Sequence, residues 1–167
     1  MSEIANKSSL EIMDAKAALD AYWDGSLPID PAKLARRAGA SVVADPRMRE
    51  KDLSGSFDLT ASGPLITVNP SDAKVRQRFT VAHELGHMFL KHGAAFRDNA
   101  RNYTSAALLK EREANNFAAE LLMPAEVLQW LIQKKDLTSI TALAQALNVS
   151  GAAMEYRLKN LGLLRRR

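Results

Sequence analysis

Two histidines that flank a glutamate are the residues of this chain best suited to catalysis. Residues 83–87 read HELGH, so His83 and His87 stand four residues apart, with Glu84 directly after the first. On a helix, residues four apart lie one turn above each other on the same face, where two imidazole nitrogens can bind one metal ion. Glu84 would then be near enough to accept a proton from a water molecule activated by the metal. The spacing therefore predicts a metal-dependent hydrolytic site with Glu84 as its catalytic base.

A catalytic metal site of this kind needs a third protein ligand. The chain has no cysteine, so the ligand must offer nitrogen or oxygen. In the longer form of this motif a third histidine follows six residues after the second, but Gly93 occupies that position here. His92 is one residue too early to replace it. A carboxylate on the next predicted helix is the alternative, and periodicity alone does not choose among the candidates there: Glu111, Glu113 and Glu120.

Two separated motifs resemble the ImmA/IrrE family of metallopeptidases. Residues 78–87 read RFTVAHELGH and residues 113–124 read EANNFAAELLMP; the stretch 28–39 also resembles the family's entry helix. The resemblance implies an α+β, zincin-like minimal metallopeptidase, with a small antiparallel or mixed sheet, an active-site helix and a helical C-terminal segment. It also implies that the glutamate before Ala-Asn, here Glu113, is the third ligand. The expected cofactor is Zn²⁺, with Mn²⁺ or Fe²⁺ as alternatives for a site of two histidines and one carboxylate.

Three further features are candidates for substrate contacts. Developing negative charge on the scissile carbonyl needs a second donor besides the metal, and Tyr103 and His92 are the nearest in sequence. Each residue also has an ordinary explanation: Tyr103 as a surface aromatic in a loop, and His92 as a residue at a helix end that complements the helix dipole. The predicted strand 65–68, composed of Leu65, Ile66, Thr67 and Val68, could be an edge strand that holds an extended peptide, or a plain strand that covers the core.

The pattern of apolar residues and turn signals predicts the elements around the site. Helices are expected over 8–23, from Pro31 to Gly39 with Asp30 as the cap, over 72–91 and over 105–122. A short strand is expected at 41–44, and a hairpin over 55–68 with a five-residue loop at 60–64. The order of helix, small sheet and further helices favours an α+β fold over an alternating α/β fold.

We expect three parts along the chain: an N-terminal helical arm (1–27), the peptidase domain (28–125) and a C-terminal helical segment (126–167). In the last part Ser150 is expected to cap a helix in an arrangement similar to a helix-turn-helix. Residues 134–167 carry a net charge of +5, so Arg157 and Lys159 are candidates for contacts with nucleic acid or a protein partner. The first three residues of the presumed recognition helix, 151–153, are Gly-Ala-Ala, which favours a structural or partner-binding role over DNA reading.

Composition narrows the class of protein. The 167 residues are 47% apolar and 25% charged, which is typical of a globular chain and excludes a disordered one. The stretch 137–154 is uncharged, but Thr, Ser, Gln and Asn interrupt it, so no membrane span is expected. The absence of cysteine excludes a disulfide scaffold, and a cytoplasmic location is the default expectation.

Together these features predict a metal-dependent endopeptidase. The resemblance implies that its substrate is a transcriptional repressor of the helix-turn-helix type encoded nearby, whose cleavage would derepress stress-response, phage or mobile-element genes. Two alternatives stay open: a toxin or other member of a regulatory pair that acts by binding an antitoxin or repressor, and a DNA-binding regulator. An intact Glu84 favours the enzyme, since a purely structural metal site needs ligands but no base.

Overall fold

A computed structural model describes residues 11–93 and 104–164 of the chain. The elements follow one another as a helical start, a small sheet and a helical second half, which confirms the predicted α+β class. The helices are α1 (Ala15–Tyr22), α2 (Pro31–Arg37), α3 (Lys74–Phe89), α4 (Ser105–Leu122), α5 (Ala125–Lys135), α6 (Ile140–Leu147) and α7 (Gly151–Asn160). The strands are β1 (Ser41–Ala44), β2 (Gly55–Thr60) and β3 (Gly63–Val68), and a short 3₁₀-helix, Pro46–Met48, lies between the first two.

The sheet is mixed, and its strand order is β1-β3-β2. β3 pairs in parallel with β1, from Ser41 opposite Leu65 onward, and antiparallel with β2. Of the two alternatives for strand 65–68, the edge strand is therefore wrong, because β1 pairs with the side of β3 that the hairpin leaves free. Within the described sheet, β2 is the edge strand on the hairpin side.

Local signals set most of the element boundaries. Asp30 accepts hydrogen bonds from the backbone nitrogens of Ala32 and Lys33, and Pro31 occupies the first turn of α2, as predicted. The hairpin turn is tighter than the expected five-residue loop, because Thr60 and Gly63 already form a pair of the ladder. Gly63 adopts a φ of 112°, which is strained for residues with a side chain.

The first helix is shorter than predicted. Asp14 caps α1 by accepting a hydrogen bond from the backbone nitrogen of Ala17, and the helix begins at Ala15 rather than at residue 8. Residues 1–10 lie outside the described part of the chain.

Helices α3 and α4 pack closely against each other at the centre of the molecule. Their contact buries Leu85 and Phe89 of α3 with Phe117 and Leu121 of α4. Phe89 and Phe117 have ring centroids 5.9 Å apart, which is within the range of favourable aromatic contact. The two helices that carry the candidate ligands therefore form the rigid core of the fold.

The C-terminal helices pack on the same hydrophobic core. Leu143, Leu147, Met154 and Leu158 belong to the cluster of buried residues that begins at Ala15. Asn148 ends α6 in a left-handed conformation, and Ser150 caps α7 as predicted, by accepting from the backbone nitrogen of Ala153. The division of the chain at residues 27 and 125 stays a prediction.

None of the helices in the described residues is both long and apolar enough to cross a bilayer.

Candidate metal centre

Helix α3 brings the two motif histidines together. The Nε2 atoms of His83 and His87 lie 3.1 Å apart, as the four-residue spacing predicts. His87 is buried, whereas the His83 side chain is 15% exposed. Both rings therefore turn the same nitrogen toward one point at the floor of a cavity.

The carboxylate that meets these nitrogens is Glu111 of α4. Its Oε2 lies 3.1 Å from His83 Nε2, and its Oε1 lies 3.1 Å from His87 Nε2. Glu113, the residue expected to be the third ligand, is instead 2.7 Å from His92 through Oε2. Two residues along an α-helix rotate a side chain by about 200°, so Glu111 and Glu113 cannot point to the same place. The placement of Glu113 among the ligands is thus corrected to Glu111.

Glu120, the remaining carboxylate considered on α4, is an exposed residue outside this group. The three side chains that converge within the described residues are His83, His87 and Glu111.

The charges in the group favour a cation. Hydrogen bonds from His83 and then from His87 hold the pKa of the Glu111 carboxyl well below its usual 4.5. For His83, burial works to lower the pKa, but the hydrogen bond to Glu111 and the charges of Glu84 and Glu111 outweigh it and raise the pKa. Glu111 therefore stays ionised, and the two neighbouring carboxylates create a negative potential at the imidazole nitrogens.

The donor set of two imidazole nitrogens and one carboxylate suits a transition-metal ion. Zinc bonds of about 2.0–2.1 Å to nitrogen and oxygen place tetrahedral ligand atoms about 3.3 Å from one another. The two histidine nitrogens, 3.1 Å apart, are close to that value. The 3.1 Å contacts of His83 and His87 with Glu111 use different carboxylate oxygens, and one donor atom from each residue lies within 4.8 Å of the others. If these three side chains held one ion, they would leave a coordination position open for water or substrate, as catalytic metal sites do.

Each histidine is held from behind through its Nδ1. His83 Nδ1 lies 2.8 Å from the side-chain oxygen of Asn115, and His87 Nδ1 lies 2.9 Å from Nδ1 of His92. Asn115 is not among the residues predicted from the sequence. Its position four residues after Glu111, on the same face of α4, is the signal that could have found it.

His92 does not line the cavity as an oxyanion donor. It is 7% exposed, and both of its ring nitrogens are engaged, one by His87 and the other by Glu113. Burial lowers the pKa of His92 in spite of the hydrogen bond to Glu113. The expected contact between His92 and a substrate is therefore wrong. Tyr103, the other candidate donor, lies outside the described residues.

Glu84 lies at the wall of the same cavity and is 9% exposed. It is close to the edge strand: a Cβ atom on Gly55 would stand 3.5 Å from Glu84 Oε1. The glycine at this position allows β2 to approach α3 closely.

The cavity has a volume of about 790 Å³. Its floor is the histidine–glutamate group, and its walls come from β2, the first turns of α3 and the start of α7. The apolar part of the lining is formed by Leu53, Phe57, Val75, Phe79, Val149 and Ala153. The space is large enough for several residues of an extended peptide.

The C-terminal candidates for binding are engaged within the chain. Arg157 Nε donates to the backbone oxygen of Met123 at 3.0 Å, and Lys159 pairs with Glu155 at 3.0 Å on the surface of α7. Ser150 and Ala153, at the start of the presumed recognition helix, line the cavity. This end of α7 therefore faces the ligand group.

Comparison with known proteins supports one family. The model of the IrrE N-terminal-like domain family (Peptidase M78) matches residues 35–159, about three quarters of the chain. No curated protein matches the sequence significantly. The matched range contains β1–β3, the whole ligand group, Glu84 and nearly all of α7, so the likeness includes both the site and the helices around it. This chain belongs to the ImmA/IrrE family of metallopeptidases.

Proposed function

We propose that the protein is a metal-dependent endopeptidase that cleaves a transcriptional repressor of the helix-turn-helix type. The observation that carries the enzymatic part is the convergence of His83, His87 and Glu111 beside Glu84, at the floor of a cavity bounded by an edge strand. The resemblance of the chain's two motifs to this family is the support for a repressor as substrate, whose cleavage would derepress stress-response, phage or mobile-element genes. Such a target implies a cytoplasmic location.

The three ligand side chains would hold Zn²⁺, with Mn²⁺ or Fe²⁺ as alternatives, since N/O donor sets bind several divalent metals. When bound, the cation supplies Lewis acidity to the scissile carbonyl and to the attacking water. The Glu84 carboxylate then accepts the proton that water loses on attack and later delivers it to the amine of the leaving strand. The rings of His83 and His87 would hold their Nε2 atoms in a fixed direction toward the ion, because the Nδ1 atom of each ring is hydrogen-bonded to a neighbouring side chain.

The edge strand gives the substrate its direction. One edge of the β2 backbone pairs with β3. The first residues of β2, Gly55, Ser56 and Phe57, line the cavity. An extended peptide added to this edge would form main-chain hydrogen bonds regardless of its sequence. Side-chain preference would then come from the apolar wall between α3 and α7, which suits an aliphatic or aromatic residue beside the scissile bond.

The test combines metal content with cleavage. Wild type, Glu84→Gln, Glu111→Gln and the control Glu120→Gln are purified, assayed for bound metal and incubated with the repressor encoded beside the gene. We expect about one metal per chain in wild type, Glu84→Gln and Glu120→Gln, and a large loss in Glu111→Gln. Cleavage is expected from wild type and Glu120→Gln, with a loss of at least about 10²-fold in Glu84→Gln.

Other outcomes would redirect the proposal. Metal bound as expected, but with the repressor intact and retained in a stable complex, would support the regulatory-pair alternative in which the protein acts by binding. Strongly salt-dependent binding to DNA without cleavage would support a DNA-binding regulator. If wild type binds none of the three metals, the proposed site is wrong.

A further inference from the structure

His92 and Glu113 have no role in the ligand group, yet they lie directly behind it. The His92 side chain is 5% exposed, and it stands between His87 on one side and Glu113 on the other. His87 Nδ1 to His92 Nδ1 is 2.9 Å, and His92 Nε2 to Glu113 Oε2 is 2.7 Å. The three groups form a continuous hydrogen-bonded line that ends at the rear of a candidate ligand.

The end of α3 brings His92 to this position. The backbone nitrogen of His92 donates to the oxygen of His87 at 3.0 Å, and that of Lys91 donates to Met88 at 3.3 Å. Lys91 adopts a left-handed conformation, with a φ of 55°. These are the bonds of a Schellman motif, in which the side chain after the left-handed residue folds back onto the last turn of the helix. Here the residue that folds back is a histidine, and it meets His87.

When both imidazoles are neutral, as metal binding requires, only one arrangement of ring protons satisfies the whole line, and in it His87 Nε2 offers its lone pair to a metal ion instead of a hydrogen bond to Glu111. A neutral imidazole has one N–H and one lone pair, and an ionised carboxylate can only accept. Glu113 therefore receives the proton of His92 Nε2, which leaves a lone pair on His92 Nδ1. That lone pair accepts the N–H of His87 Nδ1, so the lone pair of His87 lies on Nε2, the atom that faces His83 and Glu111.

We propose that Glu113 and His92 form a positioning chain that fixes the tautomer and the ring orientation of His87. This proposal rests on the metal site proposed above. His83 reaches the same result by a shorter route, because its Nδ1 donates directly to an oxygen of Asn115. Carboxylates and carbonyls that accept a hydrogen bond from a metal-binding histidine commonly fix its tautomer and ring orientation. Here the Glu113 carboxylate does so indirectly, because His92 lies between it and His87.

The test measures Zn²⁺ affinity by competition with a chelator in the full-length wild type, Glu113→Ala, Glu113→Gln and the control Glu120→Ala. Glu113 is 45% exposed, so its replacement leaves the core intact, and circular dichroism checks the fold. We expect about 10- to 100-fold weaker binding in Glu113→Ala, partial recovery in Glu113→Gln, which keeps an acceptor oxygen, and no change in Glu120→Ala.

A second readout reports the ring protons themselves. Nitrogen-15 NMR of the histidine rings in the Zn²⁺-loaded protein should show the N–H on Nδ1 of His87 and on Nε2 of His92, with the His92 assignment lost in Glu113→Ala. Wild-type affinity in Glu113→Ala, or a proton on Nδ1 of His92, would overturn the positioning chain while leaving the metal site intact. Failure of wild type to bind metal would overturn the site, and the chain with it.

Discussion

Gly86 lies against Ala114 at the crossing of α3 and α4. A Cβ atom on Gly86 would stand 3.1 Å from Ala114 Cα and 3.2 Å from the Ala114 backbone oxygen. Gly86 lies between His83 and His87 in the sequence, and Ala114 lies about one turn after Glu111. The close contact between Gly86 and Ala114 therefore sets how near the two histidines can come to Glu111. The glycine of the HELGH segment therefore contributes to the site indirectly, by allowing α3 and α4 to pack closely.

The first prediction concerns this contact. Gly86→Ala should force α3 and α4 apart by a few tenths of an ångström, since the atoms that it meets are mostly backbone. The added methyl group should lower the free energy of unfolding by about 1–3 kcal/mol through overpacking. The higher helix propensity of alanine should return roughly 1 kcal/mol of this loss. Zn²⁺ affinity should fall at least tenfold while thermal stability changes little. Unchanged affinity would show that the crossing tolerates the methyl group.

A second prediction concerns the edge strand. A Cβ on Gly55 would lie 2.3 Å from Thr80 Cγ2 and 3.0 Å from the Thr67 backbone oxygen. Threonine in a helix has few rotamers with which to move away, so Gly55→Ala should separate β2 from α3 and destabilise the fold by about 1–3 kcal/mol. Cleavage should decline more than Zn²⁺ affinity, because Glu84 lies next to this contact and the three ligands do not.

The matched rescue is the double variant Gly55→Ala/Thr80→Ser, which removes the clashing methyl group. Recovery of stability and cleavage in the double variant, measured by thermal denaturation and by the repressor assay, would confirm the contact. If the double variant is as impaired as Gly55→Ala alone, the contact with Thr67 rather than Thr80 is decisive.

A third prediction uses two neighbouring asparagines. Both side chains are exposed, but Asn115 accepts from His83 Nδ1 at 2.8 Å, whereas Asn116 lies on a different face of α4. Asn115→Ala should weaken Zn²⁺ binding by about 10-fold or more, because His83 loses the acceptor that fixes its ring. Asn116→Ala should bind Zn²⁺ like wild type. Equal effects of the two substitutions would point to a general loss of helix stability instead.

A fourth prediction concerns Arg78, which ties the C-terminal helices to the peptidase core. Its guanidinium donates to the backbone oxygens of Ile29 at 2.6 Å and Asn148 at 3.0 Å. Arg78→Ala leaves the partly buried carbonyl of Ile29 and the more exposed carbonyl of Asn148 without a charged donor, and it should cost about 2 kcal/mol in the free energy of unfolding. Urea denaturation measures the loss. Arg78→Lys should recover only part of it, since a lysine cannot span both carbonyls in the same fork geometry.

A fifth prediction concerns pH. Hydrogen bonds from Lys33 and then from Ser26 hold the pKa of Asp24 well below its usual 3.8. A carboxyl whose pKa is lowered by folding stabilises the native state above its unfolded value, and that contribution is lost as the pH falls below 3.8 toward the folded value. Asp24→Asn should thus lower the urea midpoint at pH 7, and the difference from wild type should shrink at acidic pH.

Asp20→Asn is the control for this experiment, because Asp20 forms an exposed pair with Lys16 in α1. Pairs of this kind contribute little to stability, so its urea midpoint should follow wild type at both pH values. A difference between Asp24→Asn and wild type that stays constant down to strongly acidic pH would contradict the assignment.

The sequence alone was sufficient for what depends on local spacing. The four-residue separation of His83 and His87, the cap at Asp30 and the extent of α4 follow from helix periodicity and hydrogen bonding within a few residues. The α+β order of the elements followed from the same patterns. These features agree with the structure because the interactions that produce them are formed between neighbours in the chain.

Tertiary packing decided the rest. Whether Glu111 or Glu113 meets the histidines depends on the rotation of α4 about its own axis, which the contact of Ala114 and Phe117 with Gly86 fixes. Likewise, β3 is central rather than at the edge because β1, from more than twenty residues earlier, pairs with its free side. Neither fact is encoded by spacing within one element, since each arises from contacts between segments that are distant in sequence.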